Sequence, residues 1–256
     1  MPTQTPVTER TKMQFKETPQ GSIAFCPPTP DTICRDWFTM EFWLQKSAIT
    51  GSSKGRYTTW FVKPNLTETG DSQWVLRHYY RGGMMAKLSK DSYFYTGLSK
   101  TRAVSELTLL AQLYSEGFPV PKPIAANVER HGLHYRADLI IERVAGAQDL
   151  VAKLSQTAMS DTQWQQLGTC IAKFHQRGVY HADLNAKNIL IADDNFYLID
   201  FDRGEIRTPD TTWQNANLER LLRSFNKEKG ILSTLEFTQD NWQHFMLGYQ
   251  SVQPLT

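Results

Sequence analysis

The first half of the chain has a strand-like pattern of apolar and polar residues. The runs 57–62 and 73–80 are rich in β-branched and aromatic residues and are separated by turn-forming residues, which predicts an antiparallel pair of strands. A helical stripe follows, in which apolar residues recur every three or four positions from 103 to 114, and Gly117 is placed to end it. The apolar run 139–142 predicts one further short strand.

The second half is mainly helical in pattern. An apolar stripe from Trp164 to Phe174 predicts a helix that Ser160 or Asp161 caps and Gly178 ends. Apolar runs at 189–191 and 196–199 flank a turn and predict a small hairpin, and two helices are predicted at 213–228 and 239–250.

This order of elements predicts an α+β fold of two lobes. We expect an N-lobe over 21–142, with an antiparallel sheet and one main helix, and a shortened, mostly helical C-lobe over 143–256. Residues 1–20 are polar and rich in Thr and Pro, so they are predicted to form a flexible arm.

Composition narrows the function classes without naming one. The 28 Lys and Arg residues against 26 Asp and Glu residues give a net charge of only +2, which argues against a dedicated nucleic-acid-binding protein. Three cysteines are too few for a disulfide framework and suit a reducing compartment. A polar N-terminus and the absence of a long apolar run predict neither a signal peptide nor a membrane-spanning helix.

The strongest chemical signal is a motif that runs from residue 181 to residue 202. His181, Asp183 and Asn188 have the spacing H-x-D-x-x-x-x-N, and the predicted hairpin then leads to Asp200 in an Asp-Phe-Asp sequence. This arrangement resembles the catalytic loop and metal-binding segment of the protein-kinase-like superfamily. The resemblance implies that Asp183 accepts the proton of the substrate hydroxyl, and that Asn188 and Asp200 hold Mg²⁺.

Two histidines near the motif are expected to have structural roles. His181 is expected to brace the catalytic loop by hydrogen bonding, as this histidine does in kinase-like folds. His175 lies on the apolar face of the predicted helix and is expected to be a buried, hydrogen-bonded core residue.

Candidate ATP-binding residues lie upstream, where the same resemblance places them. The segment 48–56 resembles a short glycine-rich loop over the nucleotide phosphates, although Gly and Ser also form ordinary hairpin turns. Arg77 lies where the superfamily has a strand lysine, and Glu106 resembles the helix glutamate that pairs with that cation. A solvent-facing strand residue and an exposed helix glutamate are the alternatives. The predicted nucleotide-binding residues are Gly51, Ser52, Ser53, Gly55, Arg77, Glu106 and Glu142.

Four strings narrow the resemblance to the lipopolysaccharide-core kinase family: Leu-Arg-His-Tyr-Tyr-Arg-Gly-Gly at 76–83, the Pro-rich segment 117–126, His-Ala-Asp-Leu-Asn at 181–185 and Asp-Phe-Asp-Arg-Gly at 200–204. They are most similar to members that phosphorylate 3-deoxy-D-manno-octulosonic acid (Kdo). The resemblance implies transfer of phosphate from ATP, with Mg²⁺, to a Kdo hydroxyl of Kdo-lipid A, by family expectation the 4-hydroxyl. It also implies a peripheral enzyme on the cytoplasmic face of the inner membrane of a Gram-negative bacterium. The sequence itself shows no sign of an obligate protein partner.

Two features bear on the acceptor. Only 54 residues follow Asp202 and they contain no Ala-Pro-Glu motif, so a sugar or another small head group is favoured over a peptide substrate. Basic and aromatic residues at 77–81 together with Met84 and Met85, and a second patch at 93–95, are predicted to contact an anionic membrane surface. An atypical protein Ser/Thr kinase remains an alternative, as does an inactive nucleotide-binding scaffold, which only Arg77 favours.

Overall fold

The computed structural model describes residues 13–54, 58–65, 71–80 and 91–252. They belong to two units. The first runs to Gly117 and includes Pro121–Ala145, and the second comprises Phe118–Val120 and the chain from Gly146 onward. The division thus falls after Ala145 rather than after residue 142, and the apolar and polar pattern gave no sign that Phe118–Val120 belong with the second unit.

An antiparallel sheet of eight strands forms the framework of the first unit. Seven strands follow the order β1-β2-β7-β8-β5-β4-β3, and β6 pairs separately with β8. The strands are β1 (Gln14–Thr18), β2 (Gly21–Phe25), β3 (Ile49–Lys54), β4 (Thr58–Val62), β5 (Trp74–His78), β6 (Tyr93–Phe94), β7 (Pro123–His131) and β8 (His134–Glu142), and the helices are α1 (Met40–Gln45) and α2 (Arg102–Ser115). The predicted pairing of the runs 57–62 and 73–80 is confirmed, since β4 and β5 are antiparallel neighbours.

The N-terminal strand corrects one prediction. Residues 14–18 form β1, which pairs along its whole length with β2, so a flexible arm over 1–20 is wrong for this segment, and residues 1–12 lie outside the described residues. The reason is physical: β1 is an edge strand whose side chains are mostly exposed, so it carries no apolar alternation that a sequence pattern can reveal.

The segment expected to be a glycine-rich loop is largely a strand. Gly51, Ser52 and Ser53 lie in β3 and pair with Phe61, Trp60 and Thr59 of β4, with a register shift just before Gly51. The loop prediction is therefore wrong for these three residues, while Gly55 lies outside the described residues. Small polar residues fit an edge strand as well as a turn, and sequence alone does not separate the two.

The two faces of the sheet have different partners. Trp37, Trp43 and Trp74 pack with ring centroids 5.8–6.0 Å apart in an apolar cluster that includes Leu76 of β5. Successive strand residues point to opposite faces, so Arg77 faces away from this cluster. Helix α2 packs on β7 and β8, and Gly117, with φ +80°, ends it as predicted.

The second unit is mainly helical, as predicted. Its helices are α3 (Leu150–Gln156), α4 (Asp161–Gln176), α5 (Thr211–Ile231) and α6 (Gln239–Gln250), and its short strands are β9 (Gln148–Asp149), β10 (Val179–Tyr180), β11 (Ile189–Ala192), β12 (Asn195–Leu198) and β13 (Glu205–Ile206). Ser160 and Gln163 form a capping box at the start of α4. The predicted hairpin is confirmed by the antiparallel pairing of β11 with β12.

Two glycines allow α4 and α6 to pack closely. A Cβ atom at Gly168 would overlap the backbone carbonyl of Phe245, and one at Gly248 would overlap the carbonyl of Gln165. The hydroxyl of Thr169 donates a hydrogen bond of 3.1 Å to the Gly248 carbonyl across the same contact. The spacing of these helices therefore depends on the absence of side chains at both positions.

Replacing Gly168 with Ala tests this contact. Because the new methyl group meets backbone rather than a flexible side chain, we expect the free energy of unfolding to fall by about 3 kcal/mol, the upper part of the usual overpacking range. Gly230→Ala is the matched control, since nothing lies within 4 Å of its added Cβ and Ala favours a helix by about 0.5–1 kcal/mol. Equal urea-unfolding curves for the two variants would contradict the close packing.

Candidate active site

The catalytic-loop motif is organised around a buried histidine. The Nε2 atom of His181 donates a hydrogen bond of 2.9 Å to the Ile199 carbonyl, and its Nδ1 accepts one of 3.2 Å from the Asp183 amide. Burial lowers the pKa of His181, against the smaller opposing effects of the Ile199 hydrogen bond and the Asp200 and Asp183 charges. The ring is thus neutral with its proton on Nε2, and the predicted bracing contact is present.

Two asparagines fix the backbone of Asp183. The Asn185 side chain accepts hydrogen bonds from the Lys187 and Asn188 amides and donates one of 3.0 Å to the Asp183 carbonyl. The Asn188 amide group donates a second hydrogen bond, of 2.9 Å, to that carbonyl. The Asp183 side chain, by contrast, is 58 % exposed. The loop therefore fixes the backbone of Asp183 and leaves its carboxylate exposed to solvent.

The segment that leads to Asp200 is hydrogen-bonded to the same network. The Ile199 amide donates a hydrogen bond of 3.0 Å to the Asn188 carbonyl, which ties the chain before Asp200 to the catalytic loop. Asp200 has φ +63°, a left-handed conformation that Asp tolerates better than most residues. The fully buried Phe201 ring packs 4.9 Å from the ring of His181. Strained backbone of this kind concentrates at functional sites.

The donor chemistry of Asn188 and Asp200 fits Mg²⁺ bound together with phosphates. Mg²⁺ in phosphoryl-transfer sites takes one or two carboxylates plus phosphate oxygens and water, rather than a complete set of protein ligands. Within the described ranges no group of three or more His, Cys, Asp or Glu residues forms a metal centre. Since Nδ2 of Asn188 is used by the Asp183 carbonyl, its amide oxygen is the atom that this side chain has to offer a metal.

In the first unit the structure brings Arg77 and Glu106 together. The two terminal nitrogens of Arg77, on β5, donate hydrogen bonds of 3.1 and 2.9 Å to the two carboxylate oxygens of Glu106, on α2. The Tyr79 hydroxyl donates to the same carboxylate, and the Arg77 guanidinium lies over the Tyr79 ring. The exposed-glutamate alternative is wrong, because the Glu106 side chain is only 1 % exposed.

The remaining predicted residues have more ordinary surroundings. Glu142 ends β8, where its carboxylate lies 3.9 Å from the Lys122 ammonium and its amide donates to the Lys122 carbonyl. The prediction for His175 is confirmed: it is buried, hydrogen-bonded to the Tyr249 hydroxyl at 2.8 Å, and burial lowers its pKa to about 4.

The predicted membrane patch at 77–81 needs correction. Arg77 is paired with Glu106, and Tyr79 is buried beside them. His78 is held by Asp138 at 2.6 Å and Asp91 at 3.3 Å; burial alone would lower its pKa, but these two carboxylates together raise it. Arg81 lies outside the described residues. These side chains serve contacts inside the unit because β5 buries Trp74 and Leu76 and leaves its other positions only partly exposed, which a count of basic residues does not reveal.

Helix α5 adds polar residues that the sequence pattern did not identify. Arg220, Ser224 and Glu228 are spaced by four and therefore share one face of the helix. The Ser224 hydroxyl accepts a hydrogen bond of 2.9 Å from the Ala186 amide, and Glu228 pairs with Lys187 at 2.9 Å. Arg220 lies 3.7 Å from the Asp183 carboxylate. The four-residue spacing is visible in the sequence, but it does not show that this face of α5 packs on the catalytic loop. That contact is seen only in the structure.

Comparison with known proteins gives consistent matches. The model of the "Lipopolysaccharide kinase (Kdo/WaaP) family" matches residues 40–249. A 3-deoxy-D-manno-octulosonic acid kinase of Mannheimia succiniciproducens is 45 % identical over 221 residues, which cover 84 % of this chain and 90 % of that protein. Another, of Vibrio cholerae, is 46 % identical over 200 residues, 77 % of this chain and 83 % of that protein.

A solved structure supports the fold assignment. The structure of WaaP in complex with acyl carrier protein matches with a TM-score of 0.50 and 14 % identity, covering 81 % of each chain. At this identity the match concerns the fold, and it confirms the kinase-like fold expected from the sequence.

Removing Arg77 tests the energetic role of the buried ion pair. Arg77→Ala leaves the Glu106 carboxylate without its bidentate cation, so we expect the free energy of unfolding to fall by about 3 kcal/mol, the low end for a broken buried pair because Arg77 itself is partly exposed. The double variant Arg77→Ala/Glu106→Gln has a neutral amide there and loses less. Arg136→Ala, which breaks an exposed pair with Asp91, is the control and costs about 1 kcal/mol at most. A double variant no more stable than Arg77→Ala in urea unfolding would contradict this account.

Proposed function

The chain belongs to the lipopolysaccharide kinase (Kdo/WaaP) family, and from this premise we propose that it phosphorylates the 4-hydroxyl of Kdo on Kdo-lipid A. Family membership makes it a phosphotransferase with a hydroxyl acceptor that acts in lipopolysaccharide core biosynthesis. The observation that carries the proposal is the rigid loop around Asp183, whose carboxylate is exposed. The Asn188 side chain is hydrogen-bonded to the Asp183 carbonyl, and the Ile199 amide, just before Asp200, is hydrogen-bonded to the Asn188 carbonyl.

Each site residue has a role that its surroundings support. Asp183 accepts the proton of the acceptor hydroxyl as that oxygen attacks the terminal phosphate of ATP, because an exposed carboxylate on a fixed backbone is suited to general-base work. Asn188 and Asp200 would hold Mg²⁺, which neutralises charge on the phosphates when bound. Positioning and charge neutralisation supply most of the catalysis in phosphoryl transfer.

Arg77 is proposed to bind the phosphates of ATP in place of the usual strand lysine. Glu106 orients the guanidinium through two hydrogen bonds, and an arginine so held recognises phosphate well. The departure from lysine was the only feature that favoured an inactive scaffold. The pairing of Arg77 with a buried glutamate instead supports an active enzyme, because the guanidinium is held in one geometry. Gly51, Ser52, Ser53, Gly55 and Glu142 remain proposed contributors to the same nucleotide site.

The acceptor and the location are parts of the proposal. Curated relatives carry the name 3-deoxy-D-manno-octulosonic acid kinase, which supports a Kdo-bearing acceptor. The lipid portion of that acceptor lies in a bilayer, so we propose peripheral action at the cytoplasmic face of the inner membrane of a Gram-negative bacterium. Among the described residues, no helix has the length and apolar character needed to cross a membrane.

Incubation with ATP, Mg²⁺ and Kdo-lipid A tests the function directly. Mass spectrometry of the lipid should show a gain of one phosphate, and fragmentation should locate it at the 4-hydroxyl of Kdo. A parallel reaction with a mixture of protein substrates addresses the alternative of an atypical protein kinase. Phosphate on protein and none on the lipid would overturn the proposal, and phosphate on another Kdo hydroxyl would correct its position.

Asp183→Asn tests the proposed base. The amide keeps the shape of the side chain but cannot accept the proton, so kcat should fall by about 10²–10⁴-fold with little change in ATP affinity. Asp193→Asn is the matched control, because Asp193 occupies an exposed left-handed position in the turn after β11 that Asn also adopts readily. Near-normal turnover by purified Asp183→Asn would show that another group takes the proton.

The metal ligands are tested by nucleotide binding rather than by turnover. Calorimetric titration of ATP at several Mg²⁺ concentrations should show weaker, less metal-dependent binding for Asp200→Ala and for Asn188→Ala, since each variant lacks one oxygen ligand. Asp194→Asn, which suits the left-handed backbone of the exposed turn after β11 and keeps a side-chain acceptor for Gln163, serves as the control. Unchanged metal dependence in both test variants would place the metal elsewhere.

A further inference from the structure

One face of α5 contacts the catalytic loop at three positions that are spaced by four residues. Ser224 binds the Ala186 amide and Glu228 binds the Lys187 side chain, so two positions of this face are anchored to the loop. Arg220 is the third position, one turn before Ser224, and its guanidinium lies 3.7 Å from the Asp183 carboxylate. The apolar side of the helix is fixed as well, because Leu218, Leu221 and Phe225 are buried. Arg220 is therefore held beside the proposed base by a rigid element.

The contact between Arg220 and Asp183 is loose. At 3.7 Å it is an ion pair without a hydrogen bond, and the side chains are 46 % and 58 % exposed. Pairs of this kind contribute little to stability, about 1 kcal/mol or less. The planar guanidinium carries five N–H donors, so this contact leaves it able to bind a second anion. An arginine that were needed only to hold Asp183 would be expected to make a closer contact.

Lys187, the cation of the catalytic loop itself, does not pair with Asp183. Lys187 is paired with Glu228 at 2.9 Å, and position 185, two residues after Asp183, is an asparagine whose side chain caps the following turn. Within the described residues, Arg220 is thus the cation that contacts the Asp183 carboxylate. Its charge acts on the buried His181 in the opposite sense to the charges of Asp183 and Asp200. A site containing these carboxylates repels an anionic acceptor unless a cation of this kind compensates.

We propose that Arg220 binds the carboxylate of the sugar acid that accepts the phosphate, and so determines specificity for an acidic sugar. This inference rests on the proposed function. The acceptor hydroxyl must come within about 2.6–3.2 Å of Asp183 to give up its proton, which brings the sugar next to Arg220. Kdo carries its carboxylate on the ring carbon two positions from the 4-hydroxyl, a separation of a few ångströms. Arginine is the side chain best suited to recognise a carboxylate through two parallel hydrogen bonds.

A pair of acceptors that differ in one charge separates this role from others. The experiment compares a soluble Kdo glycoside with its carboxyl methyl ester, each with ATP and Mg²⁺, for wild type and for Arg220→Gln. On the acid, we expect the variant to lose about 10–100-fold in kcat/KM through a higher KM for the acceptor, the size of a hydrogen bond to a charged group. On the ester, wild type and variant should be nearly equal. Arg220→Lys should recover part of the loss, and the KM for ATP should not change.

The control is Arg223→Gln. Arg223 lies on the same helix, is 67 % exposed and pairs only loosely with Glu219, so its replacement should leave the kinetics on both acceptors unchanged. Thermal unfolding of Arg220→Gln should match wild type, since it breaks an exposed contact. Calorimetric titration of the acid and the ester, with a non-hydrolysable ATP analogue present, measures the same discrimination without turnover.

The outcomes distinguish this inference from the proposed function. If Arg220→Gln loses activity equally on acid and ester, Arg220 acts on the transferred phosphate or on Asp183, and the carboxylate role is wrong. If Arg220→Gln keeps full activity on the acid, the residue does not bind the acceptor. If wild type phosphorylates neither acceptor nor Kdo-lipid A, the proposed function itself fails. If wild type phosphorylates the acid, the function stands whatever the variants show.

Discussion

The buried imidazole of His181 is the contact on which the candidate site depends. It joins the Asp183 amide to the carbonyl of Ile199, which lies 18 residues after His181, so the proposed base and the segment leading to Asp200 cannot move independently. Both bonds need a neutral ring with its proton on Nε2, and burial keeps the pKa of His181 low enough for that state. The Phe201 ring packs against the same imidazole and excludes water from it. A structural histidine thereby makes a rigid frame from two loops.

Much of this frame could be predicted from the sequence because its signals are local. The helix α4, its Ser160 cap and the β11–β12 hairpin depend on patterns within about 20 residues, and these were predicted correctly. The pairing of Arg77 with Glu106 was also expected, since a strand cation and a helix glutamate have fixed relations in the superfamily that the motif resembles.

The features that sequence reasoning missed are those that depend on distant contacts. The edge strand β1 has no apolar alternation and exists because β2 pairs with it. Gly51, Ser52 and Ser53 were assigned to a loop because their residue types suit turns, but the partner strand β4 extends them. Arg220 looks like any helix-surface arginine in the sequence. Its position beside Asp183 follows only from the hydrogen bond that Ser224 makes to the loop.

The arginine at position 77 shows how a departure from a motif can still be consistent with its chemistry. A lysine ammonium is a point charge, whereas a guanidinium is a planar fork that matches a carboxylate in two places at once. Each terminal nitrogen of Arg77 donates one hydrogen bond to one carboxylate oxygen of Glu106, and the Tyr79 ring supports the guanidinium from one side. The Arg77 guanidinium and the Tyr79 hydroxyl both offset the cost of burying the Glu106 charge. A lysine here would contact the carboxylate as a point charge rather than at both oxygens in one plane, so the first unit depends on an arginine for geometry as well as for charge.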